Sequence, residues 1–152
     1  MPIRSRTRWV VVIALLTLVY IIAGKLGLQL AFEHPSATAV WPPTGIALAA
    51  LLVWGYRVWP GISIGAFLVN VATTGPGSLD TSVGIAVGNT LEGLMGAYLV
   101  NRLSDGKATF ESPAGVARFA LLAFLPTALC ASIGVASLAA GGFVDRATMG
   151  SV

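Results

Sequence analysis

The residues that could do chemistry are few, and two of them are spaced to share one helix face. Glu92 is a carboxyl inside an apolar stretch, and Asn89 lies about one turn before it. At about 1.5 Å of rise per residue, Glu92 lies about 16 Å along a helix counted from Thr81, near the middle of a bilayer. An ionisable group at that depth is costly, so it indicates a functional site or a bond between helices.

Other polar residues reach comparable depths from neighbouring segments. At the same rise, Asn70 is about 18 Å from the inner end of its segment, and Lys25 is about 24 Å from Trp9. We therefore predict a small ligand site in the outer half of the membrane. Its residues are Lys25, Trp41, Pro42, Pro43, Thr44, Asn70, Asn89 and Glu92. A purely structural hydrogen-bond network explains the same residues equally well, and Lys25 alone could extend to the outer headgroups.

No group of residues supports hydrolytic, redox or metal chemistry. His34 is the single histidine and Cys130 the single cysteine, which excludes an internal disulfide and a cysteine-cluster metal site. Cys130 lies in an apolar run, where a small buried hydrophobe is the simplest interpretation. We predict no catalytic residue, no metal and no cofactor, so an enzyme is the least expected class.

The elements that position these residues must be membrane helices. The chain is 56% hydrophobic and 10% charged, with a mean hydropathy of +0.85. Soluble domains carry about 25% charged residues, so this chain has too little polar surface for a water-exposed globule. The net charge of +3 is scattered along the sequence, and we therefore do not expect nucleic-acid binding. The predicted fold is an all-α, polytopic transmembrane helical bundle.

Five apolar segments give about five spans, at residues 9–32, 39–54, 58–73, 81–100 and 113–140. With the N-terminus in the cytoplasm, basic residues concentrate at the inner ends, as the positive-inside rule requires. They are Arg4, Arg6, Arg8, Arg57, Arg102, Lys107 and Arg118. We divide the chain into a basic cytoplasmic N-terminus at 1–8, a transmembrane domain at 9–142, and a tail at 143–152 without an effector domain.

Small residues recur four positions apart, a spacing that lets membrane helices approach closely. The pairs are Gly61 with Gly65, Gly84 with Gly88, and Gly45 with Ala49. A longer stripe of Ala128, Ser132, Ala136 and Ala140 occupies the fifth segment. This pattern predicts a packed bundle but carries no information about function.

Three motifs in order resemble one known family. Residues 39–70 read AVWPPTGIALAALLVWGYRVWPGISIGAFLVN, residues 84–103 read GIAVGNTLEGLMGAYLVNRL, and residues 131–142 read ASIGVASLAAGG. They resemble the bacterial membrane-associated sensor domain of the first type, the MASE-one family. Domains of that family continue past a fifth span, so the resemblance implies that this chain holds the N-terminal part of one.

The resemblance implies a multi-pass input module of the bacterial inner membrane. In that family the module precedes a cytoplasmic effector, such as a histidine kinase of a two-component system or a diguanylate cyclase of cyclic-di-GMP signalling. We expect the lipid bilayer, an unidentified small ligand or membrane signal, and such an effector as partners, with a homodimer also open. The alternative is a small-molecule transporter or its substrate-binding membrane subunit, although no internal repeat typical of transporters is evident.

Overall fold

Five α-helices form the described part of the computed structural model, which covers residues 3–29, 41–74, 79–104 and 106–142. They are α1 (Ile3–Leu28), α2 (Pro42–Trp54), α3 (Trp59–Thr74), α4 (Leu79–Leu103) and α5 (Pro113–Ala140). Two short 3-10 segments, Tyr56–Val58 and Gly106–Glu111, precede α3 and α5. These ranges contain no strand, and the predicted all-α class is confirmed.

Local sequence explains where the helices begin and end. Pro42 and Pro43 occupy the first turn of α2, where the backbone N–H groups have no intrahelical partner to lose. Gly55 ends α2 with φ of 77° and ψ of −178°, a conformation essentially restricted to glycine. Ser112 caps α5 by accepting a hydrogen bond from the Gly115 N–H at 3.1 Å. The chain can therefore reverse direction over short connections.

Helix α4 is the centre of the packing, because α2, α3 and α5 all contact it. Helix α1 packs against α3 and α2. Glycines permit the closest approaches: a Cβ added at Gly61 would lie 2.9 Å from the Ile13 carbonyl oxygen of α1. One added at Gly88 would lie 3.2 Å from Cγ2 of Ile133 in α5. Close backbone contact of this kind replaces the hydrophobic drive that helices lack within lipid.

Two of the predicted small-residue faces do not pack in this way. A Cβ added at Gly45 would meet nothing within 4 Å, and Ala49 is exposed. On α5 the whole predicted stripe is exposed: Ala128, Ser132, Ala136 and Ala140. Helix α5 instead turns Ile133 and Ser137 toward Gly88 and Gly84 of α4. The spacing was read correctly as helical, but the face that meets a neighbour was wrong in both helices.

Among the described residues, three helices are long and apolar enough to cross a membrane: the part of α1 at Arg6–Leu28, then α4 and α5. Helix α2 has 13 residues. Its length is therefore about 20 Å, short of a hydrocarbon core about 30 Å thick. The membrane-spanning class is supported, whereas the count of five spans and the cytoplasmic N-terminus stay predictions.

The connection after α2 lies beside the start of α1. The guanidinium carbon of Arg57 lies 5.9 Å from the ring centroid of Trp9, within the range of a cation–π interaction. Helix α1 begins at Ile3, so Arg4, Arg6 and Arg8 form its first turns and do not precede it as a separate tail. Arg57 and this arginine-rich turn therefore occupy one end of the bundle.

Candidate functional site

The carboxylate of Glu92 joins three helices. Its Oε2 accepts a hydrogen bond of 3.1 Å from the Thr44 hydroxyl of α2, and its Oε1 accepts one of 3.0 Å from the Thr127 hydroxyl of α5. Glu92 itself lies on α4 and is only 7% exposed. Two hydroxyl donors therefore satisfy part of a buried group that would otherwise be costly to keep out of water.

A cavity of about 300 Å³ opens beside this carboxylate. That volume is at the lower end of the range in which proteins bind small organic molecules. Its walls are built by α2, α3, α4 and α5. The lining residues are Trp41, Thr44, Asn70, Ile85, Asn89, Glu92, Thr127, Cys130, Ala131, Gly134, Val135 and Leu138.

The side-chain amides of two asparagines line the cavity, one from α3 and one from α4. Asn89 donates through Nδ2 to the Ile85 carbonyl at 3.0 Å, and its Oδ1 accepts from the Cys130 thiol at 3.8 Å. Asn70 is 4% exposed and donates through Nδ2 to the Ala66 carbonyl at 2.8 Å. The amides are thus partly satisfied by their own helices, which fixes their orientation at the cavity wall.

The indole of Trp41 supplies a buried donor at the same cavity. It lies beside the Tyr20 hydroxyl of α1, but its Nε1–H has no acceptor in hydrogen-bonding geometry within the described residues. A buried donor without a partner is uncommon because it forfeits its bond to water.

The structure brings five of the eight predicted residues together and leaves three apart. Trp41, Thr44, Asn70, Asn89 and Glu92 share the cavity. Pro42 and Pro43 start α2 without lining the cavity, and Lys25 is exposed near the end of α1. The structure does not place Lys25, Pro42 or Pro43 at the cavity, so their role as a roof of the pocket stays a prediction. The exposure of Lys25 agrees with the alternative expectation, a lysine that extends to the headgroups.

Sequence reasoning missed two residues of α5. Thr127 donates the second hydrogen bond to the Glu92 carboxylate. Cys130 lines the cavity and is only partly buried. The expected role of Cys130 as a plain buried hydrophobe is incomplete, since its thiol bonds Asn89. The available signal was spacing: the two residues lie three apart and share one face of α5.

A second, smaller cavity of about 50 Å³ lies on the other side of the Glu92 carboxylate. Thr44, Glu92 and Thr127 line both cavities. The smaller one extends along α4 to Val100 and along α5 to Phe119. The side chains of Thr44, Glu92 and Thr127 therefore form a partition between the two cavities.

The site offers hydrogen bonding and charge but no metal centre. Within the described ranges, no group of three His, Cys, Asp or Glu side chains is placed to hold a metal ion. None of the residues that line the larger cavity is Lys, Arg or His. What the arrangement can do chemically is bind a small molecule through one carboxylate, two amides and an indole N–H.

The apolar helices, three of them in the described ranges able to cross a membrane, define the class as a helical membrane domain with a partly polar cavity. The family model MASE1 matches residues 11–152, nearly the whole chain. The chain therefore belongs to the MASE1 family, a family of membrane-associated sensor domains found in signalling proteins and not a catalytic family. Comparison with curated proteins gave no match, and comparison with solved structures gave none either.

Proposed function

We propose that the chain is the transmembrane input module of a bacterial signalling protein and is not itself an enzyme. It lies in the inner membrane, crosses it several times, and passes its signal to a cytoplasmic effector such as a histidine kinase or a diguanylate cyclase. The MASE1 match supports the sensory class. The Glu92 cavity is the place where a small ligand or a change in the membrane is detected.

The observation that carries this proposal is the attachment of three helices to one carboxylate. Thr44 and Thr127 bind the two oxygens of Glu92 from opposite sides. Each hydrogen bond between membrane helices contributes roughly 0.6–2 kcal/mol. A ligand can hydrogen-bond one carboxylate oxygen in place of a threonine, because the bond that forms contributes a free energy comparable to that of the bond that breaks. The helix that loses its bond, α2 or α5, can then shift relative to α4.

A route from the cavity to the other end of the bundle follows the packing of α5. The smaller cavity connects the Glu92 partition with Phe119. Phe119 packs edge-to-face on Phe110 of the 3-10 segment at 5.1 Å between ring centroids. A displacement of α5 would therefore reach the segment between α4 and α5.

The test is a pair of substitutions made in the signalling protein and assayed in its own membrane. Glu92→Gln with Asn89→Ala removes the cavity charge and one amide, so we expect the effector output to lose its response. The readout is phosphorylation or cyclic di-GMP, according to the effector. The matched control is Asp80→Asn with Gln29→Ala, an exposed carboxyl and an exposed amide outside the cavity and away from that route.

Two results would contradict the proposal. The first is an unchanged output from the cavity pair when the protein is present at the same level as the control pair. The second is a gene beside this chain that encodes a transport ATPase in place of a kinase or cyclase. That neighbour would favour the subunit of a transporter.

A further inference from the structure

Among the described residues, the larger cavity is lined by an acidic group and by no basic one. Glu92 is the one carboxyl among its lining residues, and its oxygens contact two threonine hydroxyls. Each carboxylate oxygen can accept more than one hydrogen bond, so both keep free acceptor capacity. A carboxyl group buried at membrane depth is stabilised most by a partner of opposite charge, so a ligand that brings a positive charge gains most from this position.

The aromatic wall of the cavity suits the same charge. Trp41 lines the same cavity as Thr44 and Glu92. Indole faces attract ammonium groups through their ring quadrupole, and this attraction strengthens where water is excluded. A carboxylate and an indole in one cavity therefore form a combination that favours ammonium over neutral or acidic groups.

Beside its polar groups, the cavity has an apolar stretch of wall. Five of the remaining lining residues carry only hydrocarbon side chains or none: Ile85, Ala131, Gly134, Val135 and Leu138. They lie on α4 and α5, the helices that carry Glu92 and Thr127. A ligand with a charged head at Glu92 would place its body against this wall, so the body must be apolar.

We propose that the cavity binds primary alkylammonium ligands, with the ammonium head on Glu92 and the alkyl body against α5. This inference rests on the proposed sensory function, because it names the ligand class of the same site. The ammonium donates to the free acceptor positions of the carboxylate. A carboxylate ligand of the same length is repelled by Glu92, and an alcohol supplies no charge.

Binding is measured on the full chain in lipid nanodiscs with hexylammonium as the probe. Trp9, Trp54 and Trp59 are replaced by Phe, so that the fluorescence reports Trp41. We expect saturable quenching by hexylammonium and none by hexanoate. Glu92→Gln should weaken the binding at least about tenfold, as expected for loss of a buried charge partner. Glu111→Gln should leave the affinity unchanged.

A second variant keeps the test decisive if Glu92→Gln lowers stability. A Cβ at Gly134 would meet nothing within 4 Å, so Gly134→Leu can extend into the cavity without a backbone clash. It should abolish hexylammonium binding, whereas Gly45→Leu, equally uncrowded but outside the cavity, should not. Equal affinity for hexanol and hexylammonium, or binding that survives Gly134→Leu, would overturn the proposal.

The two proposals fail in different ways. If hexylammonium does not bind but Gly134→Leu still alters the effector output, the ligand class is wrong and the sensory site remains. If neither Gly134→Leu nor the Glu92 and Asn89 pair alters the output, the sensory site itself is refuted.

Discussion

Glu92 is held from two directions, and each of its hydrogen bonds can be removed on its own. The Thr127 hydroxyl binds Oε1 from α5, while the Thr44 hydroxyl binds Oε2 from α2. Neither threonine gives a distinctive sequence signal, because threonine is common in apolar helices. Thr44 was predicted since it follows the Trp41–Pro43 turn. For Thr127 the sequence offers only its spacing from Cys130 on one face of α5, and its role follows from the contact with Glu92 across the helix interface.

Thr127→Ala should destabilise the chain, because it removes the α5 donor from a buried carboxylate. The expected loss in the free energy of unfolding is about 1 kcal/mol, the usual size of a hydrogen bond between membrane helices. Ser132→Ala is the control: Ser132 is exposed and its hydroxyl bonds only the Ala128 carbonyl of its own helix. Both are measured by unfolding in mixed micelles, and equal stabilities would contradict the assigned contact.

At the scale of elements, the apolar runs predict which helices exist but not which face each one buries. The extents of α3, α4 and α5 follow directly from the hydrophobic pattern and its prolines and glycines. The stripe of α5 from Ala128 to Ala140 looked equally suited to packing, yet it is exposed. Face selection depends on the shape of the neighbouring helix, which a single segment does not encode.

The close approach of α1 and α3 gives a prediction for Gly61. Gly61→Ala places a methyl group 2.9 Å from the Ile13 carbonyl oxygen, so the two backbones must separate. We expect a loss of about 1–3 kcal/mol in the free energy of unfolding, as in other overpacked interfaces. Gly45→Ala, with nothing within 4 Å, should be neutral or slightly stabilising. Thermal unfolding of both variants in detergent distinguishes these results, and equal melting temperatures would refute the packing.

For the whole molecule, the sequence predicts an orientation that the helix packing accommodates. Arg57 lies against Trp9, at the end of the bundle where α1 begins. Two exposed residues lie in connections between helices: Gln29 follows α1, and Ala108 lies between α4 and α5. With the N-terminus in the cytoplasm, Ala108 lies inside and Gln29 outside.

This orientation is tested by labelling single cysteines after Cys130→Ala removes the native thiol. A membrane-impermeant maleimide should modify Gln29→Cys in intact spheroplasts and modify Ala108→Cys only after permeabilisation. The reverse pattern would place the N-terminus outside. Labelling of both sites without permeabilisation would contradict the odd number of crossings between them.

The exposure of α5 has a mechanical consequence. Leu121 and Phe124 are each 79% exposed, so one face of α5 is uncovered within the described residues. A membrane helix whose face meets lipid adjusts its tilt when the bilayer becomes thicker or thinner. Because Thr127 binds Glu92 from the same helix, a change of tilt alters the geometry of that hydrogen bond. We therefore expect bilayer thickness and ligand binding to be coupled through the hydrogen bond between Thr127 and Glu92. A change in bilayer thickness should alter the free energy of ligand binding, and ligand binding should alter the preferred tilt of α5.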